Sequence, residues 1–153
     1  MDFKIEGPLH NQSSVCVSIL RMLPDWFGIE EAILDYERVI LHLPTFLAKA
    51  DDRVLGFLSL KQHTSYSAEI LVMAVRPEAQ RGGIGRALVE AADSYARGLG
   101  VEYMQVKTLG PSRPDEGYAR TRAFYEASGF RPLEEFKKIW DKNNPCLVMV
   151  KRL

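Results

Sequence analysis

Six consecutive residues, Gln80-Arg81-Gly82-Gly83-Ile84-Gly85, are the part of this chain best suited to holding a ligand. They follow Ala68 to Val75, a mostly apolar segment whose β-branched content and Arg76-Pro77 stop suit a strand. After them Ile84, Leu88, Ala91, Tyr95 and Leu99 recur at helical spacing, while Arg86, Glu90, Asp93 and Arg97 fall largely on the opposite face. Gly82, Gly83 and Gly85 let the backbone come close to a ligand in conformations that other residues resist. The first N–H groups of such a helix have no internal partners and its dipole adds partial positive charge, so a pyrophosphate fits there. Arg81 and Arg86 could add charge to the same place.

The loop admits other readings. A dinucleotide fingerprint needs a third small residue, where Leu88 stands, and an acid closing the next strand, which Glu102 would instead open. A P-loop needs Gly-Lys-Ser/Thr after its spacer, and no such lysine follows. A tight strand-to-helix turn, with glycine serving packing alone, stays open.

The elements that must position this loop can be read along the chain. Phe3 to Glu6 suits a short strand, Ser13 to Leu23 a helix stopped by Pro24, and Ile29 to Leu41 a second helix. That helix carries its apolar stripe on Ile29, Ala32, Ile33, Tyr36, Val39 and Ile40. Phe46 to Ala50 and Val54 to Leu60 form a hairpin around Asp51-Asp52-Arg53. Then come the strand Glu69 to Val75, the helix to Arg97, a strand Val101 to Thr108, and a Pro- and Gly-containing loop from Leu109 to Gly117. A helix from Tyr118 to Ser128 is capped by Gly129, and strands near Glu135 to Trp140 and Cys146 to Lys151 close the chain. This order predicts an α+β domain with a mixed, mostly antiparallel sheet of about seven strands and about four helices.

The 153 residues are 46% hydrophobic and 26% charged, which suits one domain over 1–153 with a real core. Twenty basic and twenty acidic residues cancel, so general attraction to nucleic acid or membrane is not expected. No apolar run is long enough to span a bilayer and the first residues do not open a signal peptide, so a cytoplasmic setting is expected. Cys16 and Cys146 lie far apart without a ligand cluster, which indicates buried free thiols and no metal site. A Cys/His/Asp nucleophile system would need one of them beside His10, His42 or His63, and no local signature supports it. The three histidines themselves read as solvated or loop residues without a role.

Gln80, Gly83 and Gly85, after a strand ending Ala74-Val75-Arg76-Pro77, resemble the acetyl-CoA signature Gln/Arg-x-x-Gly-x-Gly/Ala of the GNAT N-acetyltransferase superfamily. Phe124-Tyr125-Glu126-Ala127-Ser128-Gly129-Phe130 is similar to the family's Phe-Tyr-x-x-x-Gly-Phe segment. The resemblance runs from about Phe46 to Leu153, and the element order is also that of the family. It implies transfer of an acetyl group from acetyl-CoA to a primary amine by direct attack in a ternary complex. The acceptor would be a small molecule or a peptide. Met73, Ala74 and Val75 would line the pantetheine arm, and the amides from Arg81 to Arg86 would hold the pyrophosphate.

The resemblance also assigns proton transfer. A lysine-like amine is only about 0.04% free base at neutral pH, so a base helps. Glu69 resembles the strand glutamate of histone-acetylating members, and period two would place it on one face with Leu71, Met73 and Val75, in apolar company suited to tuning a base. The alternative is an edge-of-sheet glutamate in a salt bridge. Tyr125 would face the cofactor sulfur as acid, with Phe124 in the core; the alternative is a tyrosine that only packs its ring. Tyr118 stands where the family often has asparagine near the cofactor, and either replaces that contact or caps the helix. Family acceptor pockets point to Leu23 to Gly28 and to the stretch from Trp140 to Pro145. Trp26 and Phe27, beside Asp25, Glu30 and Glu31, would receive an amine with an apolar body, or else plug a helix corner. A non-catalytic acyl-CoA-binding module is the second reading, and an exposed last strand could support a homodimer.

Overall fold

The computed structural model describes residues 2–153. Among them seven strands and four helices form an α+β domain in the expected order. The strands are β1 (Lys4–Leu9), β2 (Thr45–Ala50), β3 (Arg53–Gln62), β4 (Ser67–Val75), β5 (Tyr103–Leu109), β6 (Arg131–Phe136) and β7 (Cys146–Arg152). The helices are α1 (Ser13–Leu20), α2 (Glu30–Ile40), α3 (Ile84–Gly98) and α4 (Glu116–Ala127), with a short 3-10 turn at Pro77–Ala79. The sheet order is β1-β2-β3-β4-β5-β7-β6. β4 and β5 run parallel, while β1 with β2, β2 with β3, β5 with β7 and β6 with β7 run antiparallel, which gives the mixed sheet expected. No helix among the described residues is long and apolar enough to cross a membrane.

By internal packing the chain divides into two compact units, neither contiguous in sequence. The first runs to Lys61 and resumes at Leu71–Tyr95; the second holds Gln62–Ile70 and Ala96–Leu153. The boundary falls inside β4, whose parallel register with β5 runs from Ser67↔Tyr103 to Ile70↔Val106. In the first unit Cys16, Ile19, Leu20, Ile40, Leu47 and Phe57 pack with Val72 and Ala74 of β4. In the second unit Met104 of β5, Met149 of β7 and Phe130 are fully buried.

Several boundaries differ from those read in the sequence, each for a local reason. α1 ends at Leu20 because the chain tightens into i→i+3 bonds, Met22 N–H to Ile19 O and Leu23 N–H to Leu20 O. On α2 only Ile33 and Ile40 of the stripe are fully buried; Ile29 is 63% exposed and Val39 is also exposed. α4 begins two residues before Tyr118, because Asp115 Oδ1 accepts the Tyr118 N–H at 2.9 Å and caps the first turn. Its other end is as expected: Gly129 has φ 100°, its N–H reaches Glu126 O at 3.1 Å, and Phe130 N–H reaches Tyr125 O at 3.0 Å, a Schellman closure. β6 lies at Arg131–Phe136, earlier than the Glu135 to Trp140 expected, because the chain enters the sheet directly after that cap. The last strand, β7, is internal; β1 and β6 are the edges, so the expectation of an exposed last strand is corrected. Asp93, expected on the polar face of α3, is 6% exposed.

Candidate functional site

The glycine loop lies in the first unit, between the end of β4 and α3. Arg76 fixes its entry, with its N–H on Leu55 O at 2.8 Å and its Nε on Val54 O at 2.6 Å, both from β3. Gln80 turns its Nε2 back to Val75 O at 3.1 Å, so this side chain holds the loop's own backbone together. Arg81 and Gly83 then take left-handed conformations, φ 66° and 85°. The first is strained for a side-chain-bearing residue. Nothing lies within 4 Å of where a Cβ on Gly83 would stand, and around Gly82 only Ala79 O comes within that range, at 3.6 Å. The space over the loop is therefore open to a ligand, and the first amides of α3 point into it by the geometry of a helix start. Gly83 O accepts the Ala87 N–H at 3.0 Å and marks where the helix begins. Ile84 is buried, so it can contribute to a ligand only through its backbone. Gly85 follows in the first turn, and Arg86 is exposed, paired to Glu90 at 3.1 Å.

β4 supplies a second surface. The Arg76 N–H and Ala74 O both face β3; a Cβ on Gly56 would stand 3.0 Å from Ala74 O. Because backbone direction alternates along a strand, Met73 and Val75 turn their polar groups the other way. Of the three residues expected to line an extended ligand, the backbone of Ala74 is thus turned to β3, and that of Met73 and Val75 away from β3. Val72 and Ala74 are buried while Leu71, Met73 and Val75 are half-buried, the period-two pattern expected.

The proton-handling candidates lie in the second unit. Glu69 is 2% exposed, and its carboxyl has polar partners. Its Oε1 accepts from His63 Nε2 at 2.7 Å and from Lys107 Nζ at 3.1 Å, and its Oε2 from Lys107 at 3.0 Å. The salt bridge of the alternative reading is present but not at an exposed edge: the carboxyl is buried, between the Lys107 ammonium and the His63 imidazole. His63, given no role in the sequence reading, is the residue missed. The signal was available in the hairpin: His63 N–H bonds to Ser67 O at 2.9 Å across the turn, which puts His63 one strand step from Glu69.

Tyr125 is 7% exposed and packs edge-to-face on Phe124 and Phe130, with ring centroids 5.4 and 5.6 Å away. Phe124, expected in the core, is only half-buried. Tyr118 is half-buried in the first turn of α4, whose cap is Asp115. Trp26 and Phe27 are half-buried against the first unit's core, Phe27 edge-on to Tyr36 at 6.1 Å. Glu30 beside them is already paired with Arg21 at 2.5 Å.

The β6–β7 connection, expected to help form an acceptor pocket, borders an open depression of about 710 Å³ with Lys137, Lys142, Asn143 and Asn144, opposite Ser112 and Arg113. Hydrogen bonds from Asn144 and the Asn143 backbone hold the Asp141 carboxyl below its usual range and fix this turn. Those from Ser112 do the same for Glu135. Both cysteines are free and buried. Burial pushes the Cys16 thiol up to about 12. It also raises that of Cys146, against the pull of Lys107.

With this geometry in hand, the similarities to known proteins are informative. A family model for the acetyltransferase (GNAT) domain matches residues 42–132. A mycothiol acetyltransferase of Beutenbergia cavernae is 37% identical over 83 residues, 54% of this chain but 26% of that protein. An uncharacterized N-acetyltransferase of Chlorobaculum tepidum is 30% identical over 114 residues, 72% of this chain and 66% of that one. The PaiA N-acetyltransferase of Thermoplasma acidophilum, solved in complex with coenzyme A, superposes with a TM-score of 0.74 over the full length of both chains at 19% identity, a likeness of fold. The matched span takes in the glycine loop, Glu69 and the Phe124-Tyr125 pair, and this chain belongs to the GNAT acetyltransferase family.

Proposed function

We propose that residues 1–153 form one N-acetyltransferase domain that moves an acetyl group from acetyl-CoA to a primary amine. The observation that carries this is the loop Gln80 to Gly85. Two left-handed residues and open space over Gly82 and Gly83 present the amides of α3 at the place where a pyrophosphate would be held. The backbone of Met73, and the N–H of Val75 whose carbonyl is held by Gln80, add pairing partners for an amide-bearing arm such as pantetheine. Family membership, and the coenzyme A bound by the PaiA enzyme of like fold, support the same cofactor here.

When bound, acetyl-CoA supplies an activated acyl carbon and a thiolate leaving group. The chain's own residues orient it and manage protons. Tyr125, which carries a phenolic hydroxyl as donor, is the proposed acid for the departing sulfur. The polar cluster around Glu69 removes the proton from the amine, directly or through water. Neither thiol is available as a thiolate near neutrality, because burial raises both, which favours direct attack over an acetyl-cysteine route.

The acceptor is a small-molecule or peptide amine. Trp26 and Phe27 are its proposed contacts, and Tyr118 a proposed contact of the cofactor. Two free buried cysteines fit a cytoplasmic, reducing setting. A second copy of the chain, if it pairs strand to strand, would use the edges β1 or β6. The test is thiol release from acetyl-CoA across a panel of small amines, polyamines and peptides, with the acetylated product identified by mass. Amine-dependent release supports the transferase; cofactor binding with no release for any amine would make the chain a binding module instead.

A further inference from the structure

Resting on the reading just given, we infer that His63 is the group that takes the proton from the acceptor amine, and that Glu69, the glutamate of the family strand, acts through it as a positioning residue. Three observations carry this. Glu69 is enclosed, its side chain 3% exposed, and both its oxygens are engaged, Oε1 twice and Oε2 by Lys107. Three of the carboxylate's four lone-pair sites are thereby taken, and burial keeps the remaining one on Oε2 away from solvent. The His63 side chain, in contrast, is 31% exposed and so can meet a substrate from solvent. In the 2.7 Å contact a proton carried on Nε2 is donated to the Glu69 carboxylate, which leaves Nδ1 as the acceptor of the neutral ring. A base whose second nitrogen is held by a buried carboxylate is the arrangement general-base catalysis needs. Imidazole is also the side chain that ordinarily titrates near neutrality.

The charged and titratable groups that face this pair are Lys107 on β5, which anchors the carboxylate, and Cys146 on β7, whose thiol feels both Lys107 and Glu69. The exposed Tyr66 stands in the hairpin's own turn. Lys107 sets an ammonium against the buried Glu69 carboxyl, a paired arrangement in place of a lone buried charge. The step balances simply. The ammonium gives one proton to Nδ1 of His63; the freed nitrogen attacks the thioester carbonyl carbon; the C–N bond forms as the C–S bond breaks. The second nitrogen proton ends on the sulfur by way of Tyr125, leaving amide, coenzyme A thiol and an imidazolium that returns its proton to solvent.

Two measurements test it. The ¹⁵N spectrum of the imidazoles, which needs no substrate, should show neutral His63 protonated at Nε2 and bare at Nδ1; a proton on Nδ1 overturns the proposal. In the pH dependence of kcat, His63→Gln should lose the rising limb and about 100-fold of the rate at neutral pH, with acetyl-CoA affinity unchanged. Glu69→Gln should keep the limb while lowering kcat, since the ring is still present but less firmly oriented. The reverse pattern, a limb retained in His63→Gln and lost in Glu69→Gln, makes Glu69 the base and overturns the inference while leaving the transferase intact. A wild-type chain that acetylates no amine overturns both.

Discussion

Tyr125 carries the sharpest expectation at the level of single residues. Its ring is buried between Phe124 and Phe130, so Tyr125→Phe keeps the packing and removes only the hydroxyl. If that hydroxyl protonates the leaving sulfur, kcat should fall about 100-fold with acetyl-CoA affinity nearly unchanged. Steady-state kinetics beside a binding titration reads this, and parallel losses in both would make the tyrosine structural. The thiols give a second expectation. Burial raises Cys16 from 9.0 to about 12, so the stability gained from keeping it neutral is complete below pH 9 and is lost as pH climbs toward 12. A thiol reagent at pH 8 should leave the folded chain unlabelled and modify both cysteines on unfolding. Rapid labelling of Cys146 in the folded state would reopen a covalent route.

Among the elements, the loop between β4 and α3 is the one whose conformation the account depends on. Gly83 sits at φ 85° with open space where a side chain would go, so Gly83→Ala introduces backbone strain without a clash. We expect a cost of about 1–2 kcal/mol and a melting temperature lower by roughly 2–8 °C. Weaker acetyl-CoA binding should accompany it, because the amides lose their alignment; thermal unfolding with and without the cofactor checks both. This loop was legible in the sequence because its demand is local: glycines between an apolar strand and an amphipathic helix. The cap at Gly129 was legible for the same reason. β6 was misplaced because Arg131-Pro132 does not read as strand; a proline is tolerated there since β6 is an edge, and edge status depends on the rest of the sheet. The surroundings of Glu69 were hidden for a related reason. Lys107 is brought to it by parallel pairing of β4 with β5, a register that no local pattern announces.

For the molecule as a whole, the glycine loop belongs to one compact unit and the His63, Glu69, Lys107 and Tyr125 groups to the other. The family model spans pieces of both, from residue 42 to 132. Outside it lie all of α1 and α2 and both stretches that the resemblance pointed to for the acceptor, and in the first of these Trp26 and Phe27 are packed against the core. The central claim is therefore the cofactor, and thermal unfolding with acetyl-CoA, coenzyme A, NAD and ATP, each at the same large excess, tests it most directly. A ligand at a hundred times its dissociation constant stabilises by about 2.7 kcal/mol, a rise of roughly 5 to 10 °C for a chain of this size. The account predicts that rise with acetyl-CoA and coenzyme A alone. No shift with either, or an equal shift with NAD or ATP, would contradict it.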